Sequence, residues 1–149
     1  MNRRQRALLI ESAIVLIGTV AAVVGMVQLK DYVNRSEAMR AMTQLGRRVL
    51  DYRKQHGSLP PQSFVDSVKG DVEGAVRLGN VNYRARWIGL DAPSDTILAY
   101  SQKRLASSFF KDGYVILRLD STVEWLPINQ FTTLFAAQRA AAEPGLSRE

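Results

Sequence analysis

The chain has 149 residues, no cysteine and a formal net charge of +6. This length holds one small domain plus an appendage, and the missing cysteine excludes disulfides, thiolate catalysis and cysteine-ligated zinc. The positive excess is uneven. Arg3, Arg4 and Arg6 crowd the N-terminus, residues 30–56 carry seven bases against Asp31, Glu37 and Asp51, and residues 57–149 balance ten bases with ten acids. A nucleic-acid module carries its basic surface on its folded part, so nucleic acid is not an expected partner. Bases flanking an apolar segment suit the anionic headgroups of a lipid bilayer.

In chain order, the basic stretch 1–6 precedes an apolar run from Ala7 to Leu29, 23 residues in which Glu11 is the only charge. About 20 apolar residues cross a bilayer core, whereas a cleaved secretory signal has a shorter apolar region and a small-residue cut site. The run therefore predicts an uncleaved transmembrane helix over 7–29. The arginine cluster orients it with the N-terminus cytoplasmic, which makes the remainder an extracytoplasmic domain. Gly18 and Gly25 would permit close approach of a second helix.

Ala38, Met42, Leu45, Val49 and Tyr52 then recur at spacings of 4, 3, 4 and 3, with Arg40, Arg47, Arg48 and Lys54 mostly off that line. This is one apolar stripe on an amphipathic helix. No Gly-Pro break separates Leu29 from the stripe, so the sequence predicts one helix from about residue 7 to His56, about 75 Å long at 1.5 Å per residue. Gly57, Pro60 and Pro61 stop it. His56, the single histidine, reads as a partner for the free carbonyls at the helix end.

Residues 57–142 read as a small α+β head. The pattern predicts a short helix over 62–69, a glycine-punctuated loop over 70–80, and a half-buried strand over 81–90 with Val81, Tyr83, Ala85 and Trp87 on one side. A second strand is expected over 96–101. A hairpin over 113–127 turns at Asp120-Ser121, where the favoured turn wants positive φ. Helical spacing returns over 128–142 through Phe131, Leu134 and Phe135, and 143–149 reads as a frayed tail. Trp87 and Trp125 are expected in the core or on a sheet face. Such a head has a thin core, and the 42–52 stripe is the natural cover for one face of its antiparallel sheet. The carboxylates Asp91 and Asp95 are either a Ca²⁺-holding cluster or a solvated turn. No phosphate loop and no acid–base or nucleophile constellation stands out, so no catalytic residues and no enzyme activity are expected.

Several stretches carry a resemblance. "MNRRQR" followed by "ALLIE" resembles the basic leader and mature start of the type IV prepilin and type II secretion pseudopilin family, with Glu11 on its acidic position. "YRKQHGSLPPQ" resembles the stretch that closes the family's long helix, and "DSTVEWLP" is similar to a hairpin of one bacterial subgroup. The resemblance implies a pilin-like fold, a place on a bacterial inner membrane with the head in the periplasm, and a structural role in a secretion or pilus-like assembly. Its partners would be other pilin-like subunits or further copies of itself, and the inner-membrane machinery. It also implies cleavage and N-methylation between Arg6 and Ala7. Two positions depart from the pattern: Arg6 stands where the family has glycine, and Ala7 where it has phenylalanine. A bulky cation obstructs the close backbone approach that glycine allows. The family's acid neutralises a freed N-terminal amine. Without cleavage, Arg4 or Arg6 of the same or a neighbouring chain would pair with Glu11, or Glu11 simply sits in the headgroup layer near the helix N-terminus. The alternative function is an unprocessed, membrane-tethered binding module on the same scaffold.

Overall fold

A computed structural model describes residues 2–89, 92–106 and 111–142. One helix, α1 (Arg3–His56), accounts for 54 residues and runs through Leu29 and Lys30 without interruption. It starts at Arg3, ahead of the expected residue 7, because the side chain of Gln5 reaches back: its Oε1 accepts the Asn2 N–H at 3.1 Å. This satisfies one of the orphan donors of the first turn. The helix stops at Gly57, whose φ of 71° is left-handed and whose N–H donates to the Arg53 carbonyl at 2.8 Å. Glycine adopts that conformation without steric cost.

The head contains α2 (Gln62–Asp71), the single-turn α3 (Ala75–Leu78), β1 (Asn82–Tyr83), a 3₁₀ turn (Ala85–Trp87), β2 (Ile97–Lys103), β3 (Gly113–Arg118), β4 (Val123–Pro127) and α4 (Ile128–Ala142). The four strands form an antiparallel sheet in the order β1-β2-β3-β4. The fold class is α+β: a long apolar N-terminal helix, a small antiparallel sheet and a C-terminal helix.

Period-2 alternation divides the sheet's side chains between two cores. Val115 and Leu117 of β3, with Val123 and Trp125 of β4, face a cluster built on Ala38, Ala41, Met42, Leu45 and Val49 of α1 and closed by Val65 and Leu78. Ile116 of β3, Ile97 of β2 and Leu126 of β4 face the other way, onto Phe131, Leu134 and Phe135 of α4. The register of β2 against β3 shifts between Ile97 and Ala99, so consecutive Leu98 and Ala99 both enter the α1-side core. Such a bulge turns two neighbours to one face. Gly113 opens β3 where a side chain has no room, because a Cβ there would lie 2.5 Å from the Leu126 carbonyl oxygen and 2.8 Å from the Trp125 ring.

Three expectations are corrected. Residues 70–80 are not all loop, since Gly74 caps the short α3 against α1. The strand expected over 81–90 shrinks to Asn82–Tyr83. Asn82 and Tyr83 pair with Tyr100 and Ala99 of β2, the Arg84 N–H still donates to the Leu98 carbonyl at 2.8 Å, and Arg84 then leaves extended geometry to start the 3₁₀ turn. Alternation is a local signal, but a strand needs a neighbour to pair with. Trp87 is consequently 71% exposed, and not part of the core.

Candidate functional site

The features with functional content lie along α1. In its first half, Leu8, Ile14, Leu16 and Ile17 are 63%, 64%, 66% and 68% exposed, on every side of the helix. An 18-residue window of this helix has mean hydropathy 2.4, and none of it is buried. A helix that is apolar all round is either enclosed in a core or set in lipid, and this one has no core around it. By length and composition it is long and apolar enough to cross a membrane.

Glu11 is exposed within this half, and among the described residues it has no ion-pair partner. Its neighbours one turn away, Ala7 and Val15, are apolar. Arg6 and Ala7 both lie inside the helix, and the Arg6 N–H donates to the Asn2 carbonyl at 3.2 Å. Gly18 and Gly25 lie seven residues apart, on the same side, and a Cβ at either would meet nothing within 4 Å.

The second half of α1 carries the seam. Ala38, Met42 and Leu45 are fully buried and Val49 nearly so. Tyr52, the last residue of the expected stripe, also packs on the head, but on α2 and not on the sheet. It is half-buried, with its ring 4.0 Å from His56 and 4.7 Å from Phe64 of α2, because α1 there meets α2. His56 Nδ1 lies 3.1 Å from the Tyr52 carbonyl, the helix-end contact expected of it. Arg47 and Arg48 are exposed.

Between the two halves is a junction that the periodicity did not reveal. Asp31, two residues past Leu29, is 2% exposed and accepts the Ala106 N–H at 3.2 Å. Ala106 belongs to the β2–β3 connection, and the Leu105 N–H of the same connection donates to Asp112 Oδ1 at 2.7 Å. One turn further along α1, the Arg35 guanidinium lies 4.8 Å from the centre of the Trp125 ring, a cation–π arrangement. Glu37 pairs with Arg77 of α3 at 3.1 Å. A charge standing next to an apolar run was the available sign that Asp31 is a fixed contact. Ala41 and Gly46, also buried, are small residues that carry no hydropathy signal.

On the opposite side of the head, Tyr83, Arg84, Trp87, Tyr100, Phe135 and Arg139 line a recess of about 620 Å³. Arg84 stacks over Phe135 at 4.5 Å. Burial, with Arg139 nearby, holds its pKa below the usual guanidinium value despite an opposing contribution from Tyr100. Tyr83 donates its hydroxyl to the Pro60 carbonyl at 3.0 Å, and burial, with Tyr52 adding to it, raises its pKa well above the ordinary phenol range. Of the Ca²⁺ candidates, Asp91 lies outside the described residues. The Asp95 carbonyl accepts from Arg118 at 2.7 Å and from Gln138 at 3.1 Å. Among the described residues, no three His, Cys, Asp or Glu side chains gather as a metal site.

Compared with known proteins, the chain matches no family model, no curated protein and no solved structure.

Proposed function

We propose that the chain is a non-enzymatic, membrane-anchored structural subunit with pilin-like architecture, acting in a secretion or pilus-like assembly. The observation that carries this reading is the division of α1: one unbroken helix, exposed and apolar all round in its first half and buried along one seam in its second. The first half anchors in the inner membrane and packs against neighbouring subunits. The second half displays the sheet outside. Glu11 serves assembly, because a carboxylate near lipid is costly unless paired, and its partner comes from a neighbour. The test is self-association of the full chain in detergent or bilayers. Glu11→Ala is expected to insert normally and lose self-association by about tenfold, the scale of one charge-assisted contact. Unchanged association rejects the assembly role of Glu11.

A second reading is an unprocessed tether that carries a binding module. Arg6 in place of glycine and the helical setting of the Arg6–Ala7 bond favour it. So does the aromatic and cationic recess beside Arg84. Determining the N-terminus of protein purified from membranes separates the two. A methylated Ala7 start supports assembly, and a retained Met1 or Asn2 supports the tether.

A further inference from the structure

The junction at Asp31 fixes more than the head's position on α1. Asp31 lies about 3 Å along the helix axis beyond Leu29, the last residue of the apolar run, and its carboxylate holds the backbone of Ala106. The chain just past the end of β2, at Leu105 and Ala106, is thereby held where α1 leaves the bilayer. Charge is sorted on this end of the molecule. Residues 30–31 and 104–112 contain five charged side chains: Lys30, Asp31, Arg104, Lys111 and Asp112. Both acids are turned onto backbone N–H groups of the connection, Asp31 onto Ala106 and Asp112 onto Leu105. All three cations are exposed. Beside them Tyr32 is 61% exposed, an amphipathic ring of the kind found at headgroup level.

We infer that Lys30, Arg104 and Lys111 form a docking surface for anionic phospholipid headgroups, with the Asp31–Ala106 bond as the clamp that keeps them at the bilayer surface. This rests on the membrane-anchor reading of residues 7–29. The complementarity is one-sided: the acids are turned inward onto backbone donors, Asp31 buried and Asp112 partly so, and the exposed charges are positive, three against two. Each basic side chain at such a surface strengthens the contact by about fivefold. The contact also fixes the head's tilt, because the sheet cannot lean away from the bilayer without lifting these cations off it.

The experiment uses the full chain in lipid nanodiscs, of phosphatidylcholine alone or mixed with phosphatidylglycerol. Since the chain has no cysteine, single cysteines at Ala106, Ile17 and Ser58 can each carry an environment-sensitive dye, read by quenching with neutral acrylamide. Ile17 reports the anchor and Ser58 the far end of the head. The expected result is a dye at 106 protected in discs containing phosphatidylglycerol and open in phosphatidylcholine alone. The dye at 17 is protected, and that at 58 open, in both. Arg104→Gln with Lys111→Gln is expected to lower the docked-to-open ratio at 106 by about 25-fold, fivefold for each charge. A dye at 106 that is equally open in both lipids, or protection unaffected by removing both cations, overturns the inference while the protected dye at 17 leaves the anchor standing. A dye at 17 open to acrylamide overturns the anchor itself and the inference with it.

Discussion

Gly46 of α1 lies directly against Leu117 of β3: a Cβ placed on Gly46 would stand 2.7 Å from Leu117 Cδ1. Leu117 is 1% exposed, so its side chain has little space to withdraw into. Gly46→Ala gains about 1 kcal/mol of helix propensity and loses about 1–3 kcal/mol to overpacking. The net expectation is a loss of up to about 2 kcal/mol, and a greater one for Gly46→Val. Denaturant unfolding of the head in detergent measures it. In the double variant with Leu117→Ala, the Gly46→Ala loss should disappear. Simple additivity would show that the two residues do not press on one another.

The two halves of α1 should respond differently to truncation. Met42→Ala or Leu45→Ala is expected to cost about 2–5 kcal/mol of head stability, because each leaves a cavity under the sheet. Ile17→Ala should leave head unfolding unchanged, since Ile17 touches no core. The same denaturation curves report both, and equal losses at 17 and 42 would contradict the division of the helix.

The β3–β4 turn contains Ser121 at φ 66°, the one described non-glycine residue with positive φ. A left-handed conformation costs an L-residue about 1–2 kcal/mol, part of which glycine returns through its greater chain entropy. Ser121→Gly should therefore stabilise the head by about 0.5–1 kcal/mol, read as a raised denaturation midpoint.

Asp120 precedes that turn, and its Oδ1 accepts the Thr122 N–H at 2.8 Å. The hydrogen bonds from Thr122, foremost the backbone one, hold its pKa below the ordinary 3.8. A depressed folded-state carboxylate stabilises the fold above its unfolded value, and the contribution is lost as pH falls through the lower folded value. Stability measured from pH 5 downward should fall less steeply in Asp120→Asn than in the parent chain. Parallel slopes would remove Asp120 from the acid response.

Tyr83 ties β1 to the stop of α1 through Pro60. Tyr83→Phe keeps the ring but leaves the buried Pro60 without this donor. The expected cost is about 0.5–1.5 kcal/mol by thermal or denaturant unfolding.

Those elements whose signal is periodic could be read in advance. The 4-3-4 spacing of Ala38 to Val49 located the seam, because it repeats the geometry of the surface it covers, and the β-rich composition of "GYVILR" located an inner strand as well. Tyr52 continued the spacing and packs on the head, but against Phe64 of α2 and not the sheet, since periodicity does not say which element covers a stripe. Trp87 failed for the related reason that alternation needs a strand alongside. Asp31 gave no sign beyond a charge standing beside an apolar run, and Gly46 was illegible for another reason, having no side chain. Each matters only through a residue far away in the chain, Ala106 and Leu117 respectively.

The absence of a hinge in α1 fixes a direction as well as a distance. At 3.6 residues per turn, the side marked by Gly18 and Gly25 points about 110° around the axis from the side marked by Met42. A neighbour gripping the glycine side inside the bilayer thus sets the compass bearing of the sheet outside it. Inserting one residue between Leu29 and Lys30 would swing that bearing by about 100° with the anchor and the head each left whole.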